Sequence, residues 1–276
     1  MRIMYIMLNY ENIPSTPISL LSDSIGTMLI VTPVIIWFRI HRKYALMSDH
    51  SGCYPLSVIV PVLNEAALLE QRLNYFKQLA DKTELVFVDG GSSDNSVQLL
   101  QSFDFTVLDC EIKRSRGGQI ATGIEYCNQA NVCIHHIDTV LGDSACVHIL
   151  AVLERHDWGR FDVKIDSPQW LFRVIERAMN WRSHLTAIAT GDQCIFAKRA
   201  LLIPCALADY PLMEDIYLSS QLRKISPPRR ISEPVLISAR YWQRHGVIKT
   251  LIKMWWFRLQ FYFGVSANNL YKKYYS

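Results

Sequence analysis

The sequence lacks the glycine signatures of two familiar nucleotide-binding loops. No G-x-G-x-x-G follows the first predicted strand and no Walker A lysine is present, so neither a dinucleotide-dependent dehydrogenase nor a P-loop enzyme is indicated. The 276 residues also contain no internal repeat and no low-complexity segment. This length fits one sizeable domain, or one domain with appendages, and a single main domain is the simplest count.

Cysteine pairs and a strong net charge are also missing. The seven cysteines include no C-x-x-C and their number is odd, which argues against a zinc site or a disulfide framework and predicts buried thiols in a reducing compartment. A net charge of +4 is too small and too dispersed for a nucleic-acid-binding protein. Half of the residues are hydrophobic and the mean hydropathy is slightly positive, which favours contact with a membrane.

The first 52 residues are predicted to be a leader outside the main domain. Residues 18–38 are mostly apolar and are followed by a basic stretch at 39–43. The uncharged part, 24–38, is short for a membrane span, which needs about 20 residues. Two interpretations stay open: a weak signal anchor with its basic flank in the cytoplasm, or a non-native or poorly ordered leader.

From residue 57 the hydrophobic pattern predicts alternating strands and helices. Apolar runs at 57–63 and 84–89 each end in acidic and turn-forming residues, which is typical of parallel strands that deliver side chains to one sheet edge. Open α/β sheets bind ligands at that edge. The predicted fold over 53–245 is α/β and Rossmann-like, with a mostly parallel sheet flanked by helices. Further helices are predicted near 65–80, 94–103, 117–129, 168–182 and 214–224, and further strands near 105–108, 132–138 and 193–197.

The two acid-ended strands predict a nucleotide-type ligand. Asn64, Glu65 and Asp89 stand where hydrogen-bond acceptors and a carboxamide could meet a base and a ribose, and the glycines after Asp89 let the backbone approach closely. Asp94, or the serine before it, can cap the next helix and leave free amides at the sheet edge. The alternative is that Asp89 and Asp94 only form turns and caps.

Three further segments can carry chemistry. A basic, glycine-containing turn that begins at Lys113 includes Arg116, which suits bidentate phosphate binding; a solvated basic loop is the alternative. Asp138 ends a predicted strand and can give one carboxylate to a hard divalent cation that bridges a diphosphate. Glu214 and Asp215 open a predicted helix, where a carboxylate base can meet an acceptor hydroxyl; simple helix capping is the alternative.

Residues 246–276 are predicted to form a C-terminal amphipathic helix, most clearly over 247–263. Apolar and aromatic residues share this segment with a basic stripe, which Trp256 interrupts and Arg258 faces from across the helix. Such a helix can dock at a membrane interface, where aromatic and basic side chains meet lipid headgroups. The alternative is that the helix packs against the main domain.

Together the motifs resemble those of a known family. Family 2 glycosyltransferases, which have the GT-A fold, carry ordered motifs similar to 57–65, 86–94, 136–138 and 213–215. More narrowly, a subgroup described as radical-SAM/selenodomain-associated transferases resembles this chain at 158–162, 180–183, 189–193, 211–215 and 238–240. The resemblance runs from Ser57 to about Leu270, and the motifs occur in the family's order.

This resemblance implies roles for particular residues. Asp138 would hold Mg²⁺ or Mn²⁺, and Asp215 would be the general base with Glu214 beside it. His136 departs from the family, because many members have the first acid of an Asp-x-Asp motif there. The implied donor-binding residues are Asn64, Glu65, Asp89 and Asp94 at the nucleoside, Arg116 and Gln119 at the diphosphate, and Gly191, Asp192 and Gln193 at the sugar and acceptor.

The implied activity is an inverting, metal-dependent transfer of a sugar from a nucleoside-diphosphate donor. The acceptor is unknown, with a lipid-linked molecule as one candidate, and the expected location is cytoplasmic, at the inner face of the membrane. A non-catalytic nucleotide-sugar-binding protein on the same fold stays open as an alternative. A nucleotidyltransferase is less favoured, because the glycine-rich signature loop of that class is missing.

Overall fold

The computed structural model describes residues 53–111 and 114–275. The predicted leader 1–52, with its apolar segment 18–38, and Lys113 lie outside the described residues. Within the described part, helices flank one eight-stranded sheet, which confirms the predicted α/β class.

The sheet has a parallel half and a mixed half. Its strand order is β3-β2-β1-β4-β7-β6-β8-β5. The first four strands in that order run parallel, β7 runs antiparallel to β4 and β6, β8 is parallel to β6, and β5 is antiparallel to β8. The strands span β1 Leu56–Val62, β2 Glu84–Asp89, β3 Thr106–Asp109, β4 Asn131–Ile134, β5 Thr139–Val140, β6 Trp158–Asp166, β7 Phe196–Lys198 and β8 Arg229–Ser238.

The helices follow the predicted positions closely in the first half of the domain. In the described residues they span α1 Ala66–Ala80, α2 Ser96–Ser102, α3 Arg116–Tyr126, α4 Ala145–Leu153, α5 Trp170–Thr186, α6 Arg199–Leu202, α7 Glu214–Ile225, α8 Arg240–His245, α9 Val247–Tyr262 and α10 Ala267–Tyr275. Short 3₁₀ turns cover Gly191–Gln193, Ile203–Cys205 and Leu207–Asp209.

Strand β1 is the centre of the parallel half and is buried along its whole length. Its residue Ile59 is aligned with Val86 of β2 on one side and Ile134 of β4 on the other. Helix α3 lies close to this strand, because a Cβ on Gly123 would come within 2.5 Å of Ile59 Cγ2. A strand covered on both faces needs the unbroken apolar run that the sequence provides.

The predicted strand 132–138 is too long, and this prediction is wrong at its C-terminal end. Strand β4 stops at Ile134, and the N–H of Thr139 donates to the carbonyl of His136 at 3.0 Å to form a turn. On one side the N–H of His135 still donates to the carbonyl of Ile59 of β1 at 2.9 Å, but on the other side the partner strand β7 is only three residues long and pairs no further. Residues His136 and Asp138 therefore lie on a loop instead of sharing one strand face.

The segment Trp158–Asp162 forms the start of β6 and carries a buried charge network. Arg160 is almost fully buried, and its Nη1 donates to Asp162 Oδ1 at 2.7 Å. Arg230 of β8 donates from Nε to both carboxylate oxygens of Asp162, at 2.9 and 3.0 Å. One carboxylate shared by two guanidinium groups compensates the burial of the charges and joins β6 to β8.

Helix α9 has a buried face and an exposed apolar face. Phe257 is buried, and its ring packs edge-on against Tyr274 of α10 at 5.5 Å. At 100° per residue the exposed apolar side chains cover a stripe about 120° wide. That stripe consists of Ile248, Ile252, Trp255, Trp256, Leu259, Tyr262 and the following Phe263. Among the described residues, no helix combines the length and apolarity that a membrane span requires.

Candidate active site

A cleft of about 790 Å³ opens at the carboxyl ends of β1, β2 and β4. One wall consists of the loops at the sheet edge, and the opposite wall consists of helices α8 to α10. Asp89, Gln193 and Glu214 are absent from its lining. The other nine predicted site residues line the cleft: Asn64, Glu65, Asp94, Arg116, Gln119, Asp138, Gly191, Asp192 and Asp215.

The loops after β1 and β2 are tied together by Asn64 and Asp94. Asn64 has φ +56°, a left-handed conformation that asparagine tolerates, and its Oδ1 accepts the N–H of Ser93 at 2.8 Å. The Asp94 carboxylate accepts the N–H groups of Ala66 and Ser96, both at 3.0 Å. These bonds fix the spacing of the two loops that border the cleft.

The Asp89 carboxylate closes the turn after β2. Its Oδ2 accepts the N–H groups of Gly91 at 2.8 Å and Ser92 at 2.9 Å. Asp89 is buried, and it lines a second cavity of about 370 Å³ together with Val97 and Leu108. The turn at Asp89, predicted from the sequence as the alternative to a ligand-binding role, is therefore present. It lies beside a cavity large enough for a group the size of one ring.

Helix α3 begins at the cleft. The hydroxyl of Ser115 caps the helix by accepting the N–H of Gly118 at 3.2 Å. Arg116 is the first helical residue, and its side chain is 54% exposed. A helix N-terminus with an arginine beside it is a favourable place for a phosphate group.

Gln119 joins the ends of the two central strands. Its side-chain nitrogen donates to the carbonyls of Val62 and Val88, both at 2.7 Å. The amide also lies against Gly90, where a Cβ would come within 3.1 Å of it. Gln119 therefore borders the cleft, while its amide N–H groups are used in hydrogen bonds to the strand carbonyls.

Three side chains form a cluster that can hold a divalent cation. One ligand atom from each of His136, Asp138 and Asp192 lies within 4.8 Å of the other two. Nε2 of His136 is buried without a hydrogen-bond partner, and its Nδ1 lies 3.4 Å from Asp192 Oδ1. Mg²⁺ is commonly bound by one or two carboxylates plus phosphate oxygens, and softer divalent ions also accept an imidazole nitrogen. The residues therefore fit a divalent metal.

The carboxylates around this cluster repel one another. Burial and then Asp192 raise the pKa of Asp138. Burial is also the largest effect on Asp192 and acts in the same direction, but the hydrogen bond and charge of His136 together with the charges of Arg116 and Arg258 leave the pKa of Asp192 lowered. Burial and then Asp138 also raise the pKa of Glu65. A cation bound between these groups would relieve the repulsion.

Gly191 connects the cluster of His136, Asp138 and Asp192 to Asp215. A Cβ at this position would lie 2.1 Å from Cε1 of His136, so the imidazole needs a glycine here. The N–H of Gly191 donates to Asp215 Oδ2 at 2.9 Å. The turn is held from behind by the buried Gln193, whose Oε1 accepts the N–H of Thr190 at 3.2 Å. Asp215 is thereby fixed beside the cluster.

Helix α7 begins with the predicted acid pair. Asp215 faces the cleft, whereas Glu214 is buried, with Oε1 3.9 Å from Nε of Arg116. Burial, and after it the charge of Asp215, raise the pKa of Glu214 to about 7. Below that pH Glu214 is a neutral acid and does not repel the Asp215 carboxylate.

The opposite wall of the cleft was not predicted from the sequence. A signal was present, because residues 234–276 contain seven Lys and Arg but no Asp or Glu. Cationic segments without acids are candidates for contacts with anions. From α8, α9 and α10 the cleft is lined by Arg240, Tyr241, Trp242, Arg244, His245, Met254, Arg258, Tyr271 and Tyr274.

Comparison with known families gives a match over the sheet-edge part of the chain. The sequence model described as Glycosyl transferase family 2 matches residues 57–205, which is more than half of the 276 residues. The matched range includes His136, Asp138 and Asp192, whereas Asp215 and helices α8 to α10 lie beyond its C-terminal end.

Curated relatives match shorter stretches. Poly-beta-1,6-N-acetyl-D-glucosamine synthase of Staphylococcus epidermidis is 24% identical over 115 residues, which cover 40% of this chain and 28% of the relative. Undecaprenyl-phosphate 4-deoxy-4-formamido-L-arabinose transferase of Proteus mirabilis is 42% identical over 59 residues, or 20% of this chain and 18% of the relative. The chain therefore spans less than a third of the length of either relative.

Solved structures share the fold. The 1–349 fragment of S. aureus TarS superposes with a TM-score of 0.52 at 17% identity, covering 67% of this chain and 60% of the fragment. The mannosyltransferase PcManGT from Pyrobaculum calidifontis, solved with GDP-Man and Mn²⁺, gives a TM-score of 0.51 at 19% identity, covering 77% and 66%. These likenesses confirm the predicted GT-A fold, whereas the narrower radical-SAM subgroup stays a prediction.

Proposed function

Because the chain belongs to glycosyl transferase family 2, we propose that it transfers a sugar from a nucleoside-diphosphate donor to an acceptor hydroxyl, with inversion and with a divalent cation. One observation carries the proposal. The N–H of Gly191 donates to Asp215, and its Cα, which carries no side chain, lies against the His136 ring. A candidate carboxylate base and a candidate metal site therefore lie in one cleft. An inverting sugar transfer needs a base for the acceptor hydroxyl and positive charge at the leaving diphosphate, and these two groups can supply them.

The sheet edge supplies the donor half of the proposed site. Asn64, Glu65 and Asp94 border the cleft at the ends of β1 and β2, and Asp89 lines the adjoining cavity. The nucleoside would lie along this edge, and the diphosphate would lie at the N-terminus of α3 beside Arg116. Gly191 and Asp192 would border the sugar.

His136, Asp138 and Asp192 would hold the cation, which the sequence resemblance assigned to Asp138 alone. When bound there, Mg²⁺ or Mn²⁺ would supply positive charge to the leaving diphosphate. PcManGT, which shares the fold, was solved with Mn²⁺. The buried, unpartnered Nε2 of His136 supports a ligand role for this imidazole.

Asp215 would act as the general base. The acceptor oxygen forms a bond to the anomeric carbon while the bond from that carbon to the diphosphate oxygen breaks. The hydroxyl proton passes to the Asp215 carboxylate, and the electron pair of the broken bond leaves with the diphosphate. A single displacement of this kind inverts the carbon and requires no covalent intermediate. Below pH 7 a neutral Glu214 would keep a second negative charge away from the base.

We further propose peripheral contact with the inner face of the cytoplasmic membrane and a lipid-linked acceptor. The exposed stripe of α9 includes Trp255 and Trp256, and Lys249 and Lys253 flank it. Aromatic residues bordered by lysines suit the headgroup region of an anionic bilayer. The name of the Proteus mirabilis relative includes undecaprenyl phosphate, which fits this choice of acceptor.

A thermal-shift panel tests the donor proposal. The protein is heated with UDP, GDP and other nucleoside diphosphates, with and without Mn²⁺ or Mg²⁺, and the phosphate-free nucleosides serve as controls. A ligand at about 100 times its Kd should add roughly 2.7 kcal/mol to the free energy of unfolding. A shift for one nucleoside diphosphate that grows with the cation is the expected result. No shift with any of them contradicts the proposal.

A further inference from the structure

Arginines without carboxylate partners line the C-terminal wall of the cleft. Arg240, Arg244 and Arg258 all face it. Within the described residues Arg244 and Arg258 form no ion pair, and Arg240 donates only to Ser238. The last acidic residue of the chain is Glu233, so no carboxylate from this wall can neutralise them. Unpaired guanidinium groups in a cleft are prepared to bind an anion.

Arg182, which is not part of the cleft lining, interacts electrostatically with Arg258. Arg182 of α5 donates from Nη1 to the carbonyl of Ile188 at 3.3 Å, while its Nη2 is buried without a hydrogen-bond partner. Burial, and after it the charge of Arg258, lower the pKa of Arg182 to about 10. Two neighbouring guanidinium groups repel each other, and an anion bound beside them reduces that repulsion.

The position of Arg258 places this anion on the acceptor side. Arg258 lines the cleft together with Asp192 and Asp215, and Asp192 is next to the glycine that holds Asp215. The donor's diphosphate would instead lie at Arg116 and the start of α3. The arginines of α8 and α9 therefore flank the approach of the acceptor toward the base.

Helix α9 faces two environments at once. Met254 and Arg258 line the cleft, while the apolar stripe with Trp255 and Leu259 faces outward. The two faces lie about 100° apart around the helix. A molecule with a phosphate at the interface and an apolar chain in a bilayer would contact both faces of this one helix.

We propose that Arg244 and Arg258 bind a phosphate group carried by the acceptor. The proposal rests on the proposed function, because it assumes that an acceptor approaches Asp215. The chemistry is a phosphate monoester or a diphosphate terminus, held by charge-assisted hydrogen bonds from the guanidinium groups. A membrane lipid or a soluble phosphate ester could present this group, and the experiment separates the two sources.

The test measures binding of the full chain to phosphatidylcholine vesicles that contain phosphatidic acid, or phosphatidylserine at matched charge. Wild-type protein should prefer phosphatidic acid, because its phosphate is a monoester. Arg258→Gln should weaken binding to phosphatidic acid about tenfold and abolish the preference, since it removes a charge-assisted hydrogen bond. Arg244→Gln, at an exposed position, should act in the same direction, and melting curves check that each variant folds.

Lys249→Gln is the matched control, because it removes one charge from the same helix outside the cleft. If binding is only a general attraction to an anionic surface, Lys249→Gln and Arg258→Gln should lose the same affinity, up to about fivefold, for both lipids. That result would overturn the proposal. Glycerol 3-phosphate is added as a competitor. Release from phosphatidic acid assigns a soluble phosphate ester as a sufficient ligand, and a preference that persists assigns the lipid phosphate; both outcomes support a phosphate site.

Nucleoside-diphosphate binding is measured on the same variants. If Arg258→Gln loses that binding as strongly as phosphatidic acid binding, the arginine serves the donor and the acceptor proposal is wrong. If the wild type binds no nucleoside diphosphate yet keeps an arginine-dependent preference for phosphatidic acid, the proposed transfer fails while the phosphate site stands. The two proposals can therefore fail separately.

Discussion

The two walls of the cleft differ in charge and in how their side chains are held. On the wall at the sheet edge the carboxylates of Asp94 and Asp215 accept backbone N–H groups. On the helical wall Arg244 and Arg258 have no ion-pair partner within the described residues. One wall is thus fixed by the fold before any ligand binds, and the other gains its partners from the ligand.

This difference assigns separate tasks to the two walls. Reacting groups must be held within a fraction of an ångström, and hydrogen bonds from strand ends and helix starts provide that precision. Long arginine side chains on helices tolerate a range of ligand positions. Substitutions on the sheet edge should therefore change turnover and metal binding, whereas substitutions on the helical wall should change partner affinity.

The largest effect should come from Asp215→Asn. Loss of the base should reduce sugar transfer or donor hydrolysis by at least about a hundredfold, while nucleoside-diphosphate binding is retained. The measurement is turnover alongside a thermal shift for the same nucleotide. Asp81→Asn, at an exposed position after α1, is the control and should leave both unchanged. Unchanged turnover in Asp215→Asn would favour the non-catalytic binding protein.

Asp138→Asn tests whether the acid cluster is a metal site. Removal of one carboxylate ligand should weaken Mn²⁺ binding by about tenfold to a hundredfold, because loss of a residue that only hydrogen-bonds to a metal ligand already lowers metal affinity by this factor. Isothermal titration with Mn²⁺ in the presence of the bound nucleotide measures the change. Asp143→Asn removes an exposed acid nearby and should have no effect. Equal Mn²⁺ affinity in the two variants would remove Asp138 from the ligand set.

Gly191→Ala sharpens the comparison by displacing one wall without changing its charge. The new methyl group would collide with the His136 ring, which should cost about 1–3 kcal/mol of unfolding free energy and weaken Mn²⁺ binding. Gly264→Ala is the control: that residue has φ +86° and open space, so it should lose stability through backbone strain alone. Wild-type Mn²⁺ affinity in Gly191→Ala would contradict a role for the His136 ring.

The pH dependence of stability should reveal the buried Glu214. Its pKa is raised from 4.5 to about 7 in the folded protein, so the folded state binds more protons than the unfolded chain in that range. This contribution is fully present below pH 4.5 and is lost as the pH rises through 7, for a total on the order of 3 kcal/mol. Denaturant titrations of Glu214→Gln and wild type between pH 5 and 8 should converge at low pH, with the variant relatively more stable at high pH.

The smallest effect on stability should come from the outward face of α9. Replacing Trp255 and Trp256 by serine should change the free energy of unfolding by less than about 0.5 kcal/mol, because both side chains are exposed. Flotation with anionic vesicles should nevertheless fall several-fold. Phe257→Ser, one residue further on the buried face, should instead cost about 3 kcal/mol. Wild-type flotation of the double tryptophan variant would contradict membrane contact through this face.

The parallel half of the sheet could be predicted because its signals are local. The runs around Ile59 and Val86 are continuous, strongly β-branched and closed by turn residues, so their ends could be located within a residue or two. Strand β7 has three residues and β5 has two, which is too short for alternation to be visible. In the mixed half the strand predicted near 193–197 only overlaps β7, and β5 was not predicted. The longer strands β6 and β8 were not predicted either, because charged residues such as Arg160, Asp162 and Arg230 interrupt their apolar residues.

The composition of the site was only partly readable for the same reason. Asp192 comes near Asp138 because the short β7 pairs with β4 and returns the chain from the Gly191 turn, and no local pattern encodes that pairing. Arg258 was visible as a break in the amphipathic pattern of α9. The break marks the face that lines the cleft, which only tertiary structure could identify.

The Gln119 side chain has a mechanical consequence. Its nitrogen donates to the carbonyls of Val62, the last residue of β1, and Val88, the penultimate residue of β2, and the same helix carries Arg116 one turn earlier. A movement of Arg116 should therefore move both strand ends together, because α3 connects them. We expect the loops that begin at Asn64 and Gly90 to exchange their amide hydrogens as one cooperative unit, and Gln119→Ala to let them open independently.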